Sequence, residues 1–367
     1  MSRYELGMTL NYAKSWGVVE AVREFFQNAY DEEVANHSNK MFFEYADGVL
    51  SIGNEKSVLE PRTLLMGSTT KDGNKDLIGE HGEGYKVATV VLMRNGVTVK
   101  IYNNEKGEVW TSKVVKSRRY GTEIVVFDIQ KQFFKKKYNL VFELDGITED
   151  MYKAIVESNL HLRKDIDEDL CKHGDCGTIL MQEQFKGDLY VNGLFICNRN
   201  YLEWGYDFAP SLVQLDRDRG LVDYFDLKFA ISKLVMSTKD ADFIHKNIKN
   251  KDLEFIHTSS QYDTLELVSD KVYEDFIEEH GEDAYPTEEF DEYEELTKQG
   301  YNAVYLPRSI NQVIRHAHEQ DFVLENKEDI QERFENWLER AEATLSENLV
   351  EEIQGLWNEL SEKASES

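Results

Sequence analysis

Three cysteines in 367 residues leave no even set from which a disulfide framework could be built, which suits a reducing compartment. Cys171, His173 and Cys176 lie close together, with Cys197 further on, but neither C-x-C nor the C-x-x-C hook of a zinc site is present. Long apolar runs are missing too: Val87 to Met93, interrupted by Thr89, falls far short of the ~20 residues a spanning helix needs. The opening Met-Ser-Arg-Tyr-Glu-Leu-Gly lacks a charged region followed by an apolar one. No export signal or membrane association is expected, and the location expected is cytoplasmic. Positive charge is scarce. With 42 Lys and Arg against 70 Asp and Glu, a net charge of −28, the molecule as a whole repels nucleic acid and anionic membrane. Binding of either must use a local patch. The candidate runs from Lys100 to Lys137, where ten basic residues stand against four acidic ones. Nucleic acid contact through residues 113–137 is its functional reading; a strand edge kept soluble by lysines is the favoured one.

What is present points to a globular chain of two or three domains, since 41% hydrophobic and 12% aromatic residues argue against global disorder. A helix of about Val18 to Ala35 is followed by β-like runs at Met41 to Tyr45 and Val49 to Ile52, joined by Asp47-Gly48 as a hairpin turn. Pro61 opens a helical turn. The polar stretch from Gly67 to Asp76 reads as a mobile loop before an apolar helix that runs to about Arg94. Strands are expected near 97–103, 109–116 and 123–129, which makes residues 1–140 an α+β domain of helices on an antiparallel-rich sheet. A second, α/β domain is expected over 141–238. It begins with a helix near Asp150 to Arg163 and continues through strands at Thr178 to Gln182 and Asp188 to Val191 to a helix at Tyr224 to Met236. Residues 239–367 read as an acidic, mostly helical region whose last 27 positions hold seven Glu and one Lys. Leu345, Leu349, Ile353, Leu356 and Leu360 recur there at helical spacing, a stripe for packing or for pairing across a dimer.

The chemistry concentrates in Glu24-Phe-Phe-Gln-Asn28-Ala-Tyr-Asp31. At about 100° per residue, Glu24, Asn28 and Asp31 share one face, while Val22, Phe25, Phe26 and Ala29 cover the core-facing arc. A carboxylate one turn from a carboxamide suits a magnesium nucleotide site: a neutral oxygen completes the metal's octahedron, and a base orients the attacking water. Some fifty residues on, Ile78-Gly79-Glu-His-Gly82-Glu-Gly84-Tyr-Lys-Val-Ala88 runs a glycine loop straight into a helix, so that backbone amides and the helix dipole can meet phosphate oxygens. Ser68 to Lys71 precede it as a segment able to fold over a triphosphate. A P-loop is excluded because no G-K-[ST] appears, and a dinucleotide fingerprint because no strand precedes the loop. The third element, Tyr120-Gly121-Thr122-Glu123-Ile124, is by itself only a turn into a strand.

In this order the three elements resemble the N box, the G-x-x-G-x-G box and the last glycine box of the GHKL ATPases, the superfamily of gyrase B subunits, ATP-driven chaperones, histidine kinases and MutL proteins. The resemblance covers about the first 130 residues. It implies a Bergerat-type helix/sheet sandwich that binds and hydrolyses Mg-ATP under a flexible lid. Carried over residue by residue, it implies Glu24 as general base, Asn28 as the Mg2+ ligand with Asp31 beside it, Gly79, Gly82 and Gly84 around the phosphates, and Thr122 near the adenine. Lys71 is expected as a phosphate contact within the lid. One departure stands out. The family's first glycine box reads D-x-G-x-G, its Asp accepting from the adenine amino group, whereas this chain has Ser51-Ile-Gly53-Asn54-Glu-Lys, with Gly53 at the Asp position and Asn54 or Asp47 as possible substitutes. An Asn amide can turn to present donor or acceptor, so weakened selectivity for ATP over GTP is expected.

The segment Leu189-Tyr-Val-Asn-Gly193-Leu-Phe-Ile, followed by Gln214-Leu-Asp-Arg217-Asp-Arg219-Gly, loosely resembles the transducer domain that supplies a γ-phosphate cation in the gyrase and MutL branches. Arg217 and Arg219 are the candidates for that cation. The whole resembles stand-alone bacterial and phage members, and a homodimer with an unidentified protein partner is expected. Two other readings stay open: a nucleotide-gated binding module with little or no hydrolysis, and a DNA-associated clamp.

Overall fold

The computed structural model describes residues 2–64, 84–213, 224–253 and 262–322, and beyond them 324, 334, 337–338, 349–350 and 353–357. The chain forms two compact units, Met1–Thr264 and Leu265–Ser367, so the expected boundaries at 140/141 and 238/239 both fall inside the first.

The chain opens with β1 (Ser2–Thr9) and α1 (Val18–Ala35), whose start is fixed by the Glu20 carboxylate accepting from the Gly17 N–H at 2.7 Å. Next comes the hairpin of β2 (Met41–Ala46) and β3 (Val49–Asn54), with Asp47 at φ 50° and Gly48 at φ 80°, the two left-handed residues of a tight turn that matches strand twist. A single 3-10 turn, Pro61–Leu64, precedes α2 (Gly84–Arg94), β4 (Thr98–Asn103), β5 (Glu108–Lys116), β6 (Glu123–Lys131) and β7 (Leu140–Asp145). The seven strands form one antiparallel sheet in the order β1-β6-β5-β4-β7-β3-β2. Its core joins Val22 and Phe25 of α1 and Val87 to Leu92 of α2 to Leu50, Ile52, Val99, Ile101, Trp110 and Phe127 of the strands.

The sequence pattern signals neither β1 nor β7. Asp128 on β6 recruits β1: buried, it accepts from Arg3 Nε at 2.7 Å and Arg3 Nη2 at 2.9 Å, and it pairs with Lys113 at 3.0 Å.

After α3 (Glu149–Glu157) a second sheet is built from β8 (Cys171–Gly174), β9 (Gly177–Leu180), β10 (Asp188–Val191), β11 (Leu194–Asn198) and β12 (Gly205–Phe208), in the order β11-β10-β12-β9-β8. Only β10 and β12 run parallel. The helix expected to reach Arg163 stops at Glu157, because the next backbone groups are taken by the sheet: Phe195 N–H donates to Ser158 O, and Leu160 N–H to Gly193 O. Helices α4 (Tyr224–Ser237) and α5 (Ala241–Lys246) follow, then a 3-10 turn in which Asp252 accepts from Glu203 N, Trp204 N and Tyr206 Oη, pinning it to β12.

Helix α6 (Tyr262–His280) leads into the second unit, where β13 (Ala284–Thr287), α7 (Phe290–Lys298) and β14 (Asn302–Tyr305) make a parallel β-α-β element followed by α8 (Arg308–His318). The fold is thus mixed α+β with predominantly antiparallel sheets. Of the C-terminal leucine stripe, Leu349 and Leu356 are described and both are exposed, whereas Leu345 and Leu360 lie outside the described residues. No helix among the described residues is long and apolar enough to cross a membrane.

Candidate functional site

Helix α1 carries the site. Its Val22, Phe25, Phe26 and Ala29 are buried as the periodicity requires, and two members of its polar face are buried as well, Glu24 at 2% exposure and Asp31 at 1%. Helix α2 packs along α1, and its first residue explains part of that burial: a Cβ built on Gly84 would stand 2.1 Å from Glu24 Oε2 and 3.2 Å from Glu24 Cδ. Two motifs sixty residues apart in the chain therefore meet, with glycine at 84 making room for the carboxylate. Asn28 is half-buried, and its Nδ2 donates to Glu24 O at 2.8 Å, one turn back. That bond fixes the amide and leaves Oδ1, the atom a hard cation takes, as the end that can meet a ligand.

The pleat of the sheet revises the reading of the missing aspartate. Phe43 of β2 lies 5.8 Å, ring to ring, from Phe26 of α1, so the face shared by Phe43, Leu50, Ile52 and Asn54 is the helix face. Gly53 points the other way, where a Cβ would come 2.0 Å from Leu140 O; backbone packing accounts for glycine there. Asn54 is buried under α1, and its Nδ2 donates to Ala29 O at 2.8 Å and to Asn39 O at 3.4 Å. The amide is anchored and cannot turn freely, contrary to expectation. Asp47 is exposed in the hairpin turn, about 17 Å along β3 from Asn54.

Thr122 is not brought to this place. Strand registers align Asn54 with Leu140, Asn103, Glu108 and Lys131, which puts Thr122 at the opposite end of the sheet, about 30 Å along β6 and four strands, about 19 Å, across. The same registers divide the basic stretch. Lys116, Arg118 and Arg119 lie at one end of the β5–β6 ladder and Lys131, Lys135 and Lys137 at the other, about 27 Å away. Between them Lys113 is spent on Asp128, and at the second end Lys136 pairs with Glu143. The basic residues of 113–137 thus fall into two groups, one at each end of the ladder. Lys71, Gly79, Gly82, Arg217 and Arg219 lie outside the described residues.

The structure adds residues that periodicity did not mark. Lys86, two positions into α2 from Gly84, is fully buried at 0% exposure, a placement an ammonium group takes only where opposite charge compensates it. A lysine inside the apolar run Tyr85 to Leu92 was the available signal. Gln27, beside Asn28, is 2% exposed.

The outer face of α1 meets the second sheet. Arg23 Nη1 donates to Phe195 O at 3.0 Å, and the Phe26 and Tyr30 rings lie 5.9 and 4.5 Å from that of His161, whose Nε2 bonds Asn192 O at 2.8 Å. Burial pushes His161 below its ordinary pKa, against the pull of the Asn192 carbonyl. Behind it Asp207 accepts from the Gly193 N–H at 2.7 Å, and burial raises its carboxyl to about 6. Tyr30 is raised by burial first, then by the charges of Glu33, Asp207 and Asp31.

Among the described residues no group of three His, Cys, Asp or Glu side chains could hold a metal, and the three cysteines are free thiols. A nucleotide-borne Mg2+ needs no such cage, since one protein oxygen beside phosphates and waters suffices. The fixed Asn28 amide fits that role. In comparison with known proteins, no family model matches the chain and no curated protein matches it.

Proposed function

We propose that the first unit is a GHKL-type ATPase with a Bergerat-type nucleotide site between α1, α2 and the end of β3. The observation that carries this reading is the contact of Glu24 with Gly84, which joins the acid/amide helix to the first turn of the helix that follows the glycine loop. In the proposed reaction the Glu24 carboxylate accepts a proton from water as the water oxygen bonds to the γ-phosphorus. The bond from that phosphorus to the β–γ bridging oxygen breaks, and the products are ADP and phosphate. Burial of Glu24 keeps bulk water from competing for it. Asn28 Oδ1 would hold the Mg2+ that accompanies the nucleotide, and that ion would neutralise charge on the phosphates. Asn54, held under α1, is the side chain that would meet the base.

Turnover of Mg-ATP by the purified chain tests the assignment, together with two variants. Glu24→Ala is expected to bind nucleotide and to lose turnover by about 10²–10⁴-fold. Asn28→Ala is expected to weaken binding of Mg-ATP while leaving Mg-free binding nearly unchanged. Hydrolysis by Glu24→Ala at the wild-type rate would refute the assignment, and binding without turnover in the wild type would favour a nucleotide-gated binding module.

A further inference from the structure

Gln27 is the one carboxamide among the described residues whose two polar atoms, Nε2 and Oε1, are both buried without a hydrogen-bond partner. The side chain is 2% exposed, so bulk water does not serve it either. An orphaned buried donor and acceptor destabilise a fold, and such groups are retained where something other than the fold uses them. Position narrows the use. Gln27 is three residues from Glu24 and four from Asp31, hence on the same side of α1 as both. It also lies between Glu24, which touches Gly84, and the Arg23–Tyr30 edge that meets the second sheet. The carboxamide thus belongs to the margin of the candidate site that faces the second sheet.

Resting on the ATPase reading, we propose that Gln27 positions the attacking water. A water that gives one proton to Glu24 has a second hydrogen to place, and an amide oxygen beside the base can accept it. The amide N–H can donate to a γ-phosphoryl oxygen as charge develops there. One carboxamide then fixes the direction of attack, and both of its polar atoms gain partners only in the loaded site. The bonds made and broken are those of the hydrolysis above; Gln27 itself exchanges no proton.

The test is Gln27→Leu in the full chain, with Gln27→Met as a second apolar replacement should the first fold poorly. The expected result is a fall in kcat of about 10- to 100-fold, with the Kd for Mg-AMPPNP within threefold of wild type and a Tm equal to or above wild type. A structural amide would behave otherwise: its loss would lower Tm, or weaken binding and turnover together, and either result overturns the proposal. So does a kcat within twofold of wild type. Absence of hydrolysis in the wild-type protein would instead overturn the ATPase reading on which the proposal stands.

Discussion

Gly84→Ala is the sharpest probe of the proposed site, because it adds one methyl group and removes none of the proposed reacting groups. The added carbon would lie 2.1 Å from Glu24 Oε2. An ordinary carbon–oxygen contact is about 3.3 Å, so one partner must give by about 1 Å. The obstructing atom is the far end of a side chain, and the Glu24 carboxylate is what moves. Stability should change little. A strained rotamer costs about 0.5–1.5 kcal/mol, while alanine in place of glycine in a helix returns up to about 1 kcal/mol, so the net effect stays within about 1 kcal/mol. A base displaced by about 1 Å, however, costs about 10²-fold in rate. The expected outcome is a variant that melts within a few degrees of wild type, binds Mg-AMPPNP normally and turns ATP over about a hundredfold more slowly. Combining it with Glu24→Ala should cost little more than Glu24→Ala alone, since both remove one function. Gly84→Ala turning over within twofold of wild type would sink the argument that glycine at 84 serves to seat a catalytic carboxylate.

Elements with strong local periodicity or turn chemistry are legible in the sequence: α1, the Asp47-Gly48 hairpin and the strands β4 to β6. What escapes it depends on contacts distant along the chain. Strand β7 is a short run, Leu140–Asp145, that takes its place between β4 and β3 only through their ladders. Strand β1 finds its ladder on β6 and its Arg3–Asp128 pair 125 residues along the chain. At the site, helical spacing identifies Glu24, Asn28 and Asp31, yet it cannot show that Gly84 lies against Glu24. The parity of a strand is likewise invisible until one residue is placed. Phe43 meeting Phe26 is what puts Asn54, one residue past Gly53, beneath the helix. Thr122 shows the converse failure, since a motif read in chain order carries no information on which end of a sheet it will occupy.

Two further outcomes are expected. Because Asn54 is anchored by Ala29 O and Asn39 O, its oxygen presents a fixed acceptor. Wild type should therefore favour ATP over GTP by about 5- to 150-fold, and Asn54→Ala should bring the ratio near one. Competition binding at equal Mg2+ decides it, and a wild-type preference below twofold would remove Asn54 from base recognition. The other outcome concerns acid. The Arg3 guanidinium, with Lys113 in support, holds the Asp128 carboxyl at about 2, below its usual 3.8. A carboxylate depressed in the folded state contributes stability that is fully present above the unfolded value, near 3.8, and is lost as pH falls towards 2. The full shift corresponds to about 2 kcal/mol, and with Arg3 and Lys113 each about half exposed, solvent screening reduces the expected contribution to about 1 kcal/mol. Wild type should thus melt a few degrees above Asp128→Asn at pH 6, with the gap closing between pH 4 and 2. A gap that stays constant down to pH 2.5 would mean that the Arg3–Asp128–Lys113 contacts hold β1 to β6 through hydrogen bonding and packing alone, with no contribution from the charge.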